Sequence, residues 1–317
     1  MLRTMEQQNK IHDVVMIGAG PAALSAAIYT AREDIATVLY EKAMVGGLAA
    51  TTDWIDNYPG YAEGLEGIRL ADQLRAQAER FGAKIDFAEV TGLTPNHGGV
   101  RVHTTNGDVH ARAVLIATGS DHRKLHVPGE DTYYSRGVHY CATCDGAFYA
   151  GKRLIVVGGG NSGVQEALFL TKFATHIDLL VRSELRASDV LQHKLAAMSD
   201  KITVHTDVAV DEIVGTDDSF VGAQVTHTGT GDHTLLKADG MFIFIGLLPN
   251  TEFLRGSAIA LDAQGLVHAN AKNETSMPGV FVAGDCRSGA TMQIASAVGD
   301  GASAALAIRE HLERNKV

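Results

Sequence analysis

Cysteine, proline and aromatic residues are all scarce in this sequence. Its 317 residues include 3 Cys and 6 Pro, and 6% of them are aromatic. Three cysteines are too few for a disulfide-stapled secreted scaffold. The scarcity of proline, together with a 45% share of hydrophobic residues, excludes a disordered or collagen-like chain. The chain is therefore long and apolar enough to form sizeable cores, and its length suggests about two domains.

Excess positive charge and long apolar runs are also lacking. The formal net charge is -10, so the basic field of a typical nucleic-acid binder is missing. No apolar run approaches the ~18 residues of a membrane helix, and residues 1–13 lack the apolar core of a signal peptide. We therefore expect a cytoplasmic protein without nucleic-acid or membrane partners. In that compartment a cysteine pair is more often catalytic than structural.

Glycine, by contrast, is abundant, with 34 residues, and several of these glycines lie in two copies of one pattern. In each copy a β-branched run meets a glycine-rich turn, then an Ala- and Leu-rich helical stretch, then another apolar strand. The copies cover residues 13–40 and 153–181. This order is typical of the βαβ unit of dinucleotide-binding folds. The sequence therefore predicts an α/β protein with two Rossmann-like domains.

The small residues of each turn have separate tasks. Gly18 makes the first tight turn, Gly20 lets the backbone approach a pyrophosphate, and Ala23 lets the helix pack closely on the strand. The second copy repeats these tasks with Gly158, Gly160 and Gly163. The free N–H groups at each helix start then face the phosphates. In this strand–turn–helix context, the pattern favours nucleotide binding over an ordinary glycine-rich loop.

The end of the second strand of each copy distinguishes the ligands. In the first copy this position is Glu41, whose carboxylate suits the hydroxyls of a ribose. In the second copy it is Arg182, with Arg186 one helical turn further on. Two guanidinium groups suit a 2′-phosphate, so this copy favours NADP(H) over NAD(H). The alternative for both arginines is a solvated helix start.

Two further strands end in residues that suit a cofactor. Residues 113–119 form an apolar run that ends in Thr-Gly, and residues 279–285 form another that ends in Gly-Asp. A carboxylate such as that of Asp285, at the end of a strand and beside a glycine, is well placed to hold a ribityl hydroxyl. The next helix is predicted to begin near Gln293 and to run through Ile294 to Leu312.

Cys141 and Cys144 lie just ahead of the second nucleotide pattern. Two intervening residues suit thiol–disulfide exchange or half of a zinc site. A zinc site needs four ligands, and Cys286 is the one further cysteine, so a redox pair is favoured over zinc or inert buried thiols. Asp145 is either a proton shuttle for a thiolate or a turn residue. Cys286 itself is expected to be a buried bystander.

Together these residues resemble the bacterial-type, low-molecular-weight thioredoxin reductases over about residues 11–313. The segment Cys-Ala-Thr-Cys-Asp at 141–145, just ahead of a second dinucleotide pattern, is the most specific part of the resemblance. The other matching segments are 18–22, 46–47, 56–60, 117–119, 158–162 and 279–285.

The resemblance implies a fold of two Rossmann-like, three-layer ββα domains, one inserted in the other. The FAD domain would comprise residues 1–122 and 248–317, and the NADPH domain, with the disulfide, residues 123–247. The inserted domain would rotate about hinges near 120–125 and 246–250, in a homodimer. NADPH would reduce FAD, and the reduced flavin would then reduce the Cys141–Cys144 disulfide, with Cys144 facing the flavin. The resulting dithiol would reduce a thioredoxin or thioredoxin-like protein, with Asp145 as the acid–base group.

The resemblance also implies a set of cofactor-binding residues, with NADPH at the second glycine turn and its two arginines. The expected residues are Gly18, Gly20, Pro21, Ala22, Glu41, Lys42, Gly46, Gly47, Leu48, Thr52, Asn57, Val90, Ala117, Thr118, Gly119, Asp285, Gln293, Ile294, Ala295, Gly158, Gly160, Asn161, Ser162, Arg182 and Arg186.

Three departures from the family pattern leave alternatives open. Leu48 stands where the family has glutamine, Met292 where it has arginine, and the phosphate-binding HRRxxxR is reduced to Arg182 and Arg186. These changes favour a weaker NADPH preference or an unusual electron donor. A flavin-dependent dithiol oxidase is a rival that the second glycine turn argues against. The cysteine pair argues against a ferredoxin- or flavodoxin-NADP reductase, and a non-catalytic flavoprotein sensor is supported by the departures alone.

Overall fold

A computed structural model describes residues 11–52, 54–55, 57–217 and 219–315. The described residues divide into two compact units. Unit 1 lies within Met1–Asp121 and Leu248–Val317, and unit 2 within His122–Leu247. Most of segment 1–13, and Asp56 of segment 56–60, lie outside the described residues. Among the helices that are described, none is long and apolar enough to cross a membrane.

The helices and strands form three series along the chain. Before the insertion they are β1 (Ile11–Ile17), α1 (Pro21–Arg32), β2 (Thr37–Glu41), α2 (Gly47–Thr51), α3 (Gly67–Arg80), β3 (Lys84–Phe87), β4 (Val90–Asn96), β5 (Gly99–Thr104), β6 (Val109–Ile116) and β7 (Ser120–His122).

The middle of the chain contributes a second series. Its elements are β8 (Val138–His139), α4 (Ala142–Asp145), a 3₁₀ turn (Gly146–Tyr149), β9 (Arg153–Val157), α5 (Asn161–Leu170), β10 (His176–Leu180), α6 (Asp189–Ala196), β11 (Ile202–His205), β12 (Val208–Gly215), β13 (Phe220–His227), β14 (His233–Lys237) and β15 (Gly240–Ile243). The last series is β16 (Leu247–Pro249), a 3₁₀ turn (Glu252–Leu254), β17 (Val280–Val282) and α7 (Ile294–Arg314).

Unit 1 is built on a seven-stranded sheet in which β1 is a central strand. The strand order is β3-β2-β1-β6-β5-β4, and β17 also pairs with β6. The strands β3, β2, β1, β6 and β17 are parallel, whereas β5 pairs antiparallel with both β6 and β4. Val14 and Met16 belong to one buried cluster, and Val15 and Ile17 to the other. Both faces of β1 are therefore covered, as its continuous apolar run predicts.

Helices α1 and α7 pack closely on one face of this sheet. The contact is made of small residues, because a Cβ added at Gly301 of α7 would overlap the carbonyl oxygen of Ala22 in α1. The hydroxyl of Ser25 donates a hydrogen bond to the carbonyl of Val298 at 2.9 Å. The start of α1 is therefore held in place by the last helix of the chain.

Unit 2 has three layers, and the middle layer is a five-stranded parallel sheet. Its strand order is β11-β10-β9-β15-β8. Leu154 and Val156 of β9 pack with α5 on one face, whereas Ile155 and Val157 pack with residues of β12 and β13 on the other. The strands β12, β13 and β14 form a separate antiparallel sheet. The predicted α/β class, with parallel sheets in the cores, is therefore confirmed.

Candidate active site

The main cavity of unit 1 lies where parallel strands end. It has a volume of about 360 Å³. Ligands of open parallel sheets bind in such crevices, at the carboxyl ends of the strands. Fourteen of the residues expected to bind a cofactor line this cavity: Gly18, Gly20, Pro21, Ala22, Glu41, Lys42, Gly47, Leu48, Ala117, Thr118, Gly119, Asp285, Gln293 and Ile294.

Gly18 and Gly20 of the first turn are required for different reasons. Gly18 has a φ of +97°, and a Cβ there would lie 2.5 Å from the carbonyl oxygen of Ala117, so the fold itself requires glycine. Gly20 has a φ of -78°, and no atom lies within 4 Å of the place where its Cβ would be. No side chain caps α1, whose first N–H groups are therefore free for a ligand. The open space beside Gly20 fits a phosphate.

Glu41 connects the end of β2 to the glycine turn. Its carboxylate is buried and accepts hydrogen bonds from the backbone N–H groups of Ala19 and Ala43, both at 2.8 Å. Each carboxylate oxygen can accept more than one hydrogen bond. Glu41 also lines both the main cavity and a second cavity of about 190 Å³. It is therefore held rigidly and can still accept hydrogen bonds from a ribose.

Two polar side chains of the main cavity, those of Thr118 and Asp285, are available to a ligand. The hydroxyl oxygen of Thr118 is buried and has no hydrogen-bond partner among the described residues. Burial, with a smaller contribution from Asp300, raises the pKa of the Asp285 carboxyl. An unpaired buried polar group costs about 1–3 kcal/mol. A hydroxyl-rich ligand would relieve that cost at Thr118.

Five expected residues lie outside the main cavity. Val90 lines the second cavity. Gly46, with a φ of +103°, lies so close to α3 that a Cβ there would overlap the Cβ of Ala71, so it serves packing. Thr52 donates to the carbonyl of Leu48 at 3.0 Å, and Asn57 donates to Gln293 Oε1 at 3.1 Å. The fifth residue is Ala295, in the first turn of α7.

Asn250 lines both cavities but was not predicted from the sequence. Its side chain donates to the carbonyl of Thr118 at 3.1 Å, and its backbone N–H donates to the carbonyl of Gly119 at 3.0 Å. It therefore fixes the end of β6 from a distant part of the sequence. Its one sequence signal is its place directly after the Leu-Leu-Pro of β16.

The glycine turn of unit 2 repeats the arrangement of the first. Gly158 has a φ of +144°, and a Cβ there would overlap the carbonyl oxygen of Phe244. A Cβ at Gly163 would overlap the carbonyl oxygen of Gly158. At Gly160, the N-cap of α5, no atom lies within 4 Å of the Cβ position, and no side chain caps the helix. This turn therefore also leaves room for a phosphate.

Polar residues surround this second turn. Asn161 and Ser162 are exposed at the start of α5, and Asn161 accepts a hydrogen bond from the Ser188 N–H at 2.8 Å. Arg186 donates its backbone N–H to the carbonyl of Gly159 at 2.8 Å, so it lies beside the turn. The exposed guanidinium groups of Arg182 and Arg186 form no ion pair with any described residue. They are therefore available to an anionic ligand.

Cys141 and Cys144 form a disulfide in unit 2, with Cα atoms 5.3 Å apart. Cys141 is the N-cap of the short helix α4, and its Sγ accepts a hydrogen bond from the Cys144 N–H at 3.2 Å. Asp145 donates its backbone N–H to the carbonyl of Cys141 at 3.1 Å. Both cysteines are half-buried, so the bond can be reached by a reductant.

The carboxylate of Asp145 has a buried partner that the sequence analysis missed. Nδ1 of His139 lies 3.3 Å from Asp145 Oδ2, and Nε2 of His139 lies 2.7 Å from the hydroxyl of Tyr149. Burial raises the pKa of Tyr149 to about 12, with smaller contributions from Asp145 and Asp239. His139, Asp145 and Tyr149 all belong to the segment 138–149. The sequence signal for this cluster was therefore the His and the Tyr that flank the cysteine motif.

The site geometry agrees with comparisons with known proteins. A model of the pyridine nucleotide-disulphide oxidoreductases matches residues 12–301. The chain belongs to this family. Thioredoxin reductase of Listeria monocytogenes is 37% identical over 313 residues, which cover 98% of this chain and 97% of the relative. That of Mycolicibacterium smegmatis is 39% identical over 305 residues, which cover 95% and 97%.

A solved structure also resembles this chain along almost its whole length. The thioredoxin reductase of Streptococcus pyogenes has a TM-score of 0.92 and 37% identity, and the match covers 97% of this chain and 100% of that one. The chain is thus an oxidoreductase, and the family uses FAD and NADPH. The open Gly20 and Gly160 turns and the unpaired Thr118 hydroxyl fit two dinucleotides.

Cys286 is the free cysteine among the described residues of this oxidoreductase. Its Sγ is fully buried, 3.7 Å from the carbonyl oxygen of Ile116 and 3.6 Å from that of Ala283. Burial raises the pKa of its thiol. A buried thiol of this kind is inert. Within the described residues, no three His, Cys, Asp or Glu side chains form a group that could hold a metal ion.

Proposed function

We propose that this chain is a thioredoxin reductase. It transfers electrons from NADPH through FAD and the Cys141–Cys144 disulfide to the disulfide of a thioredoxin or thioredoxin-like protein. The observation that carries the proposal is the disulfide itself. It forms at the start of α4, in the same unit as an open glycine turn with two unpaired arginines. Relatives named thioredoxin reductase support the same substrate class.

In this proposal unit 1 is the FAD domain, made from residues 1–122 and 248–317. Gly20 and the free N–H groups of α1 bind the pyrophosphate. Glu41 accepts hydrogen bonds from the adenosine ribose, while Asp285 and Thr118 bind hydroxyls of the ribityl chain. When bound, FAD supplies the hydride and electron-transfer chemistry. The protein holds the cofactor in a cavity whose shape is fixed by packed strands and by the start of α1.

Unit 2, from residue 123 to 247, is the NADPH domain. The turn at Gly160, with the start of α5 at Asn161 and Ser162, binds the pyrophosphate of NADPH. Arg182 and Arg186 bind the 2′-phosphate, because guanidinium groups form paired hydrogen bonds to phosphate oxygens. Both arginines are exposed, so their contribution depends on ionic strength.

The protein residues then carry the disulfide exchange. Two electrons and two protons reduce the Cys141–Cys144 bond to two thiols. One thiolate attacks a sulfur of the thioredoxin disulfide and forms a mixed disulfide, and the other cysteine displaces the second thioredoxin sulfur and restores the Cys141–Cys144 bond. Asp145 takes protons from the attacking thiols and gives them to the departing thiolates. The net change is one disulfide formed, one reduced and two protons transferred.

The proposal also covers location and assembly. A dithiol that NADPH keeps reduced suits the cytoplasm, where disulfides in proteins are mostly transient and catalytic. We include a homodimer, which the resemblance implies. Sedimentation of the FAD-loaded protein tests the assembly, and a single species at the monomer mass contradicts it.

The decisive experiment uses the full-length, FAD-loaded protein without oxygen. We expect NADPH to bleach the flavin absorbance and, when thioredoxin is added, to be consumed continuously. NADH in a parallel titration should act more weakly. No bleaching by NADPH would contradict the electron donor, whereas bleaching without reduction of any thioredoxin in a panel would contradict the substrate.

A further inference from the structure

We propose that His139 is a positioning residue for Asp145 during disulfide exchange. It would hold the carboxyl group in one place in both of its protonation states. This inference rests on the proposed function in one respect, because it takes Asp145 as the acid–base group of the exchange. It adds His139 of strand β8, and a tyrosine behind it, to that site.

The two ring nitrogens of His139 meet two different partners. Nδ1 lies 3.3 Å from the Asp145 carboxylate, and Nε2 lies 2.7 Å from the Tyr149 oxygen. When Asp145 is ionised, a neutral ring can donate from Nδ1 to the carboxylate and accept the Tyr149 proton at Nε2. When Asp145 is protonated, the other tautomer accepts at Nδ1 and donates from Nε2 to the phenol oxygen. Asp145 gains and loses a proton in each cycle, and His139 can therefore form a hydrogen bond with it in both states.

The ring of His139 is held so that it cannot turn away. Only 8% of the residue is exposed. Its ring stacks on Phe242, with centroids 5.2 Å apart, and meets the edge of Tyr149 at 5.4 Å. The parallel pairing of β8 with β15 places His139 opposite Phe242 in register. A rigid partner matters because small misplacements of reacting groups can cost about 100-fold in rate.

Burial and two neighbouring carboxylates keep Tyr149 protonated. Burial, with smaller contributions from the carboxylates of Asp145 and Asp239, raises its pKa to about 12. Lys152 lies 3.5 Å from Asp239 and offsets part of that negative charge. The phenol therefore keeps its proton near neutral pH and remains a fixed partner for Nε2. The proton that moves is then the one at Asp145.

His139 is proposed to affect one step, the protonation of the departing substrate sulfur by Asp145. One enzyme thiolate forms a bond to a substrate sulfur, the substrate S–S bond breaks, and its electron pair goes to the departing sulfur. The attacking thiol has already passed its proton to Asp145, which then supplies that proton to the departing sulfur. An aliphatic thiolate, with a thiol pKa of about 8.5, needs this proton. A nitroaromatic thiolate is a much weaker base and leaves without it.

The test compares two disulfides in a single turnover. Full-length, FAD-loaded protein is reduced with dithiothreitol, desalted without oxygen and mixed with bis(2-hydroxyethyl) disulfide or with 5,5′-dithiobis(2-nitrobenzoate). In His139→Leu we expect the rate with the aliphatic disulfide to fall roughly 10- to 100-fold. The rate with the aromatic disulfide should be unchanged. His139→Asn, whose amide can donate or accept toward Asp145, should recover much of the lost rate.

A structural role for His139 gives a different result. Equal losses with both disulfides, or no loss with either, overturn the proposal. If His139→Leu fails to fold, Tyr149→Phe removes only the phenol oxygen and should show a smaller loss with the same selectivity, and equal rates overturn the proposal again. The assay uses neither NADPH nor thioredoxin. If the wild-type protein fails to reduce thioredoxin but His139→Leu shows the selective loss, the result contradicts the proposed function and supports this inference.

Discussion

The carboxylate of Glu41 accepts a hydrogen bond from the backbone N–H of Ala19 across 2.8 Å, and so joins the end of β2 to the first glycine turn. A second hydrogen bond, from the Ala43 N–H, uses the other carboxylate oxygen. One buried side chain therefore fixes both sides of the cavity mouth. A residue chosen as a ribose ligand from its position in the sequence also shapes the site.

Glu41→Gln should weaken this connection. Glutamine has one accepting oxygen, so one of the two N–H groups loses its partner, at a cost of about 1–3 kcal/mol. We expect a lower melting temperature and weaker FAD binding, measured by thermal unfolding and by quenching of flavin fluorescence. Glu63→Gln, at an exposed position in unit 1, is the control. An unchanged melting temperature and an unchanged affinity would show that the connection is dispensable.

Gly18→Ala and Gly20→Ala should separate folding from cofactor binding. An alanine at residue 18 meets the Ala117 carbonyl and adopts a positive φ, so the variant should lose stability. An alanine at residue 20 meets no protein atom, so the variant should fold normally and lose affinity for FAD. Thermal unfolding of the two FAD-free variants, beside their FAD affinities, tests this. Normal FAD binding by Gly20→Ala would refute the phosphate assignment.

Cys144→Ser should stop thioredoxin reduction and leave hydride transfer from NADPH to the flavin intact. The substitution removes a sulfur of the exchanging disulfide but leaves both glycine turns unchanged. Stopped-flow absorbance of the flavin and a coupled thioredoxin assay measure the two steps separately. Retained thioredoxin turnover would count against this cysteine pair as the redox centre.

Arg186→Ala should raise KM for NADPH and leave KM for NADH nearly unchanged. Hydrogen bonds to charged groups contribute about 1.5–3 kcal/mol, which corresponds to roughly 10- to 100-fold in affinity, and exposure and salt reduce this value. The matched control is Lys237→Ala, at an exposed position in the same unit. Equal increases in KM for both nucleotides would mean that Arg186 does not bind a 2′-phosphate.

Gly301→Ala and Gly299→Ala in α7 should have opposite effects on stability. A Cβ at residue 301 would overlap the Ala22 carbonyl, and overpacking of this kind typically costs about 1–3 kcal/mol. At residue 299 no atom lies within 4 Å, so alanine should add roughly 0.5–1 kcal/mol of helix stability. Denaturant titration of both variants decides the matter. A Gly301→Ala protein as stable as wild type would contradict the close contact of α7 with α1.

The sequence was most informative where its patterns were local. The apolar run and glycine turn around Gly18 predict β1 and α1, and the same pattern around Gly158 predicts β9 and α5. The helix predicted to begin near Gln293 does begin at Ile294, with Gln293 as its N-cap. In each case the residues that predict the start of the helix lie within about one helical turn of it, because caps and turns depend on neighbouring residues.

What the sequence could not predict depends on contacts between distant residues. Asn250 reaches the cavity because it donates hydrogen bonds to the end of β6, and no local pattern encodes that contact. His139 stacks on Phe242 because β8 pairs with β15, a neighbour set by sheet order. The resemblance implied a second β layer, but its strands β12 to β14 were not located in the sequence, since they alternate weakly between buried and exposed residues.

The main cavity draws its lining from both ends of the chain, with Gly20 from the first segment of unit 1 and Asn250, Asp285 and Gln293 from the second. On a ribosome these late residues emerge after all of unit 2 has been synthesised. Unit 2 is continuous and can fold as soon as it emerges, since domains generally fold as units during synthesis. Unit 1 cannot complete its fold until its second segment has been synthesised, although its first β-strands are made early. Loading of the cofactor is therefore one of the last events in the production of each molecule.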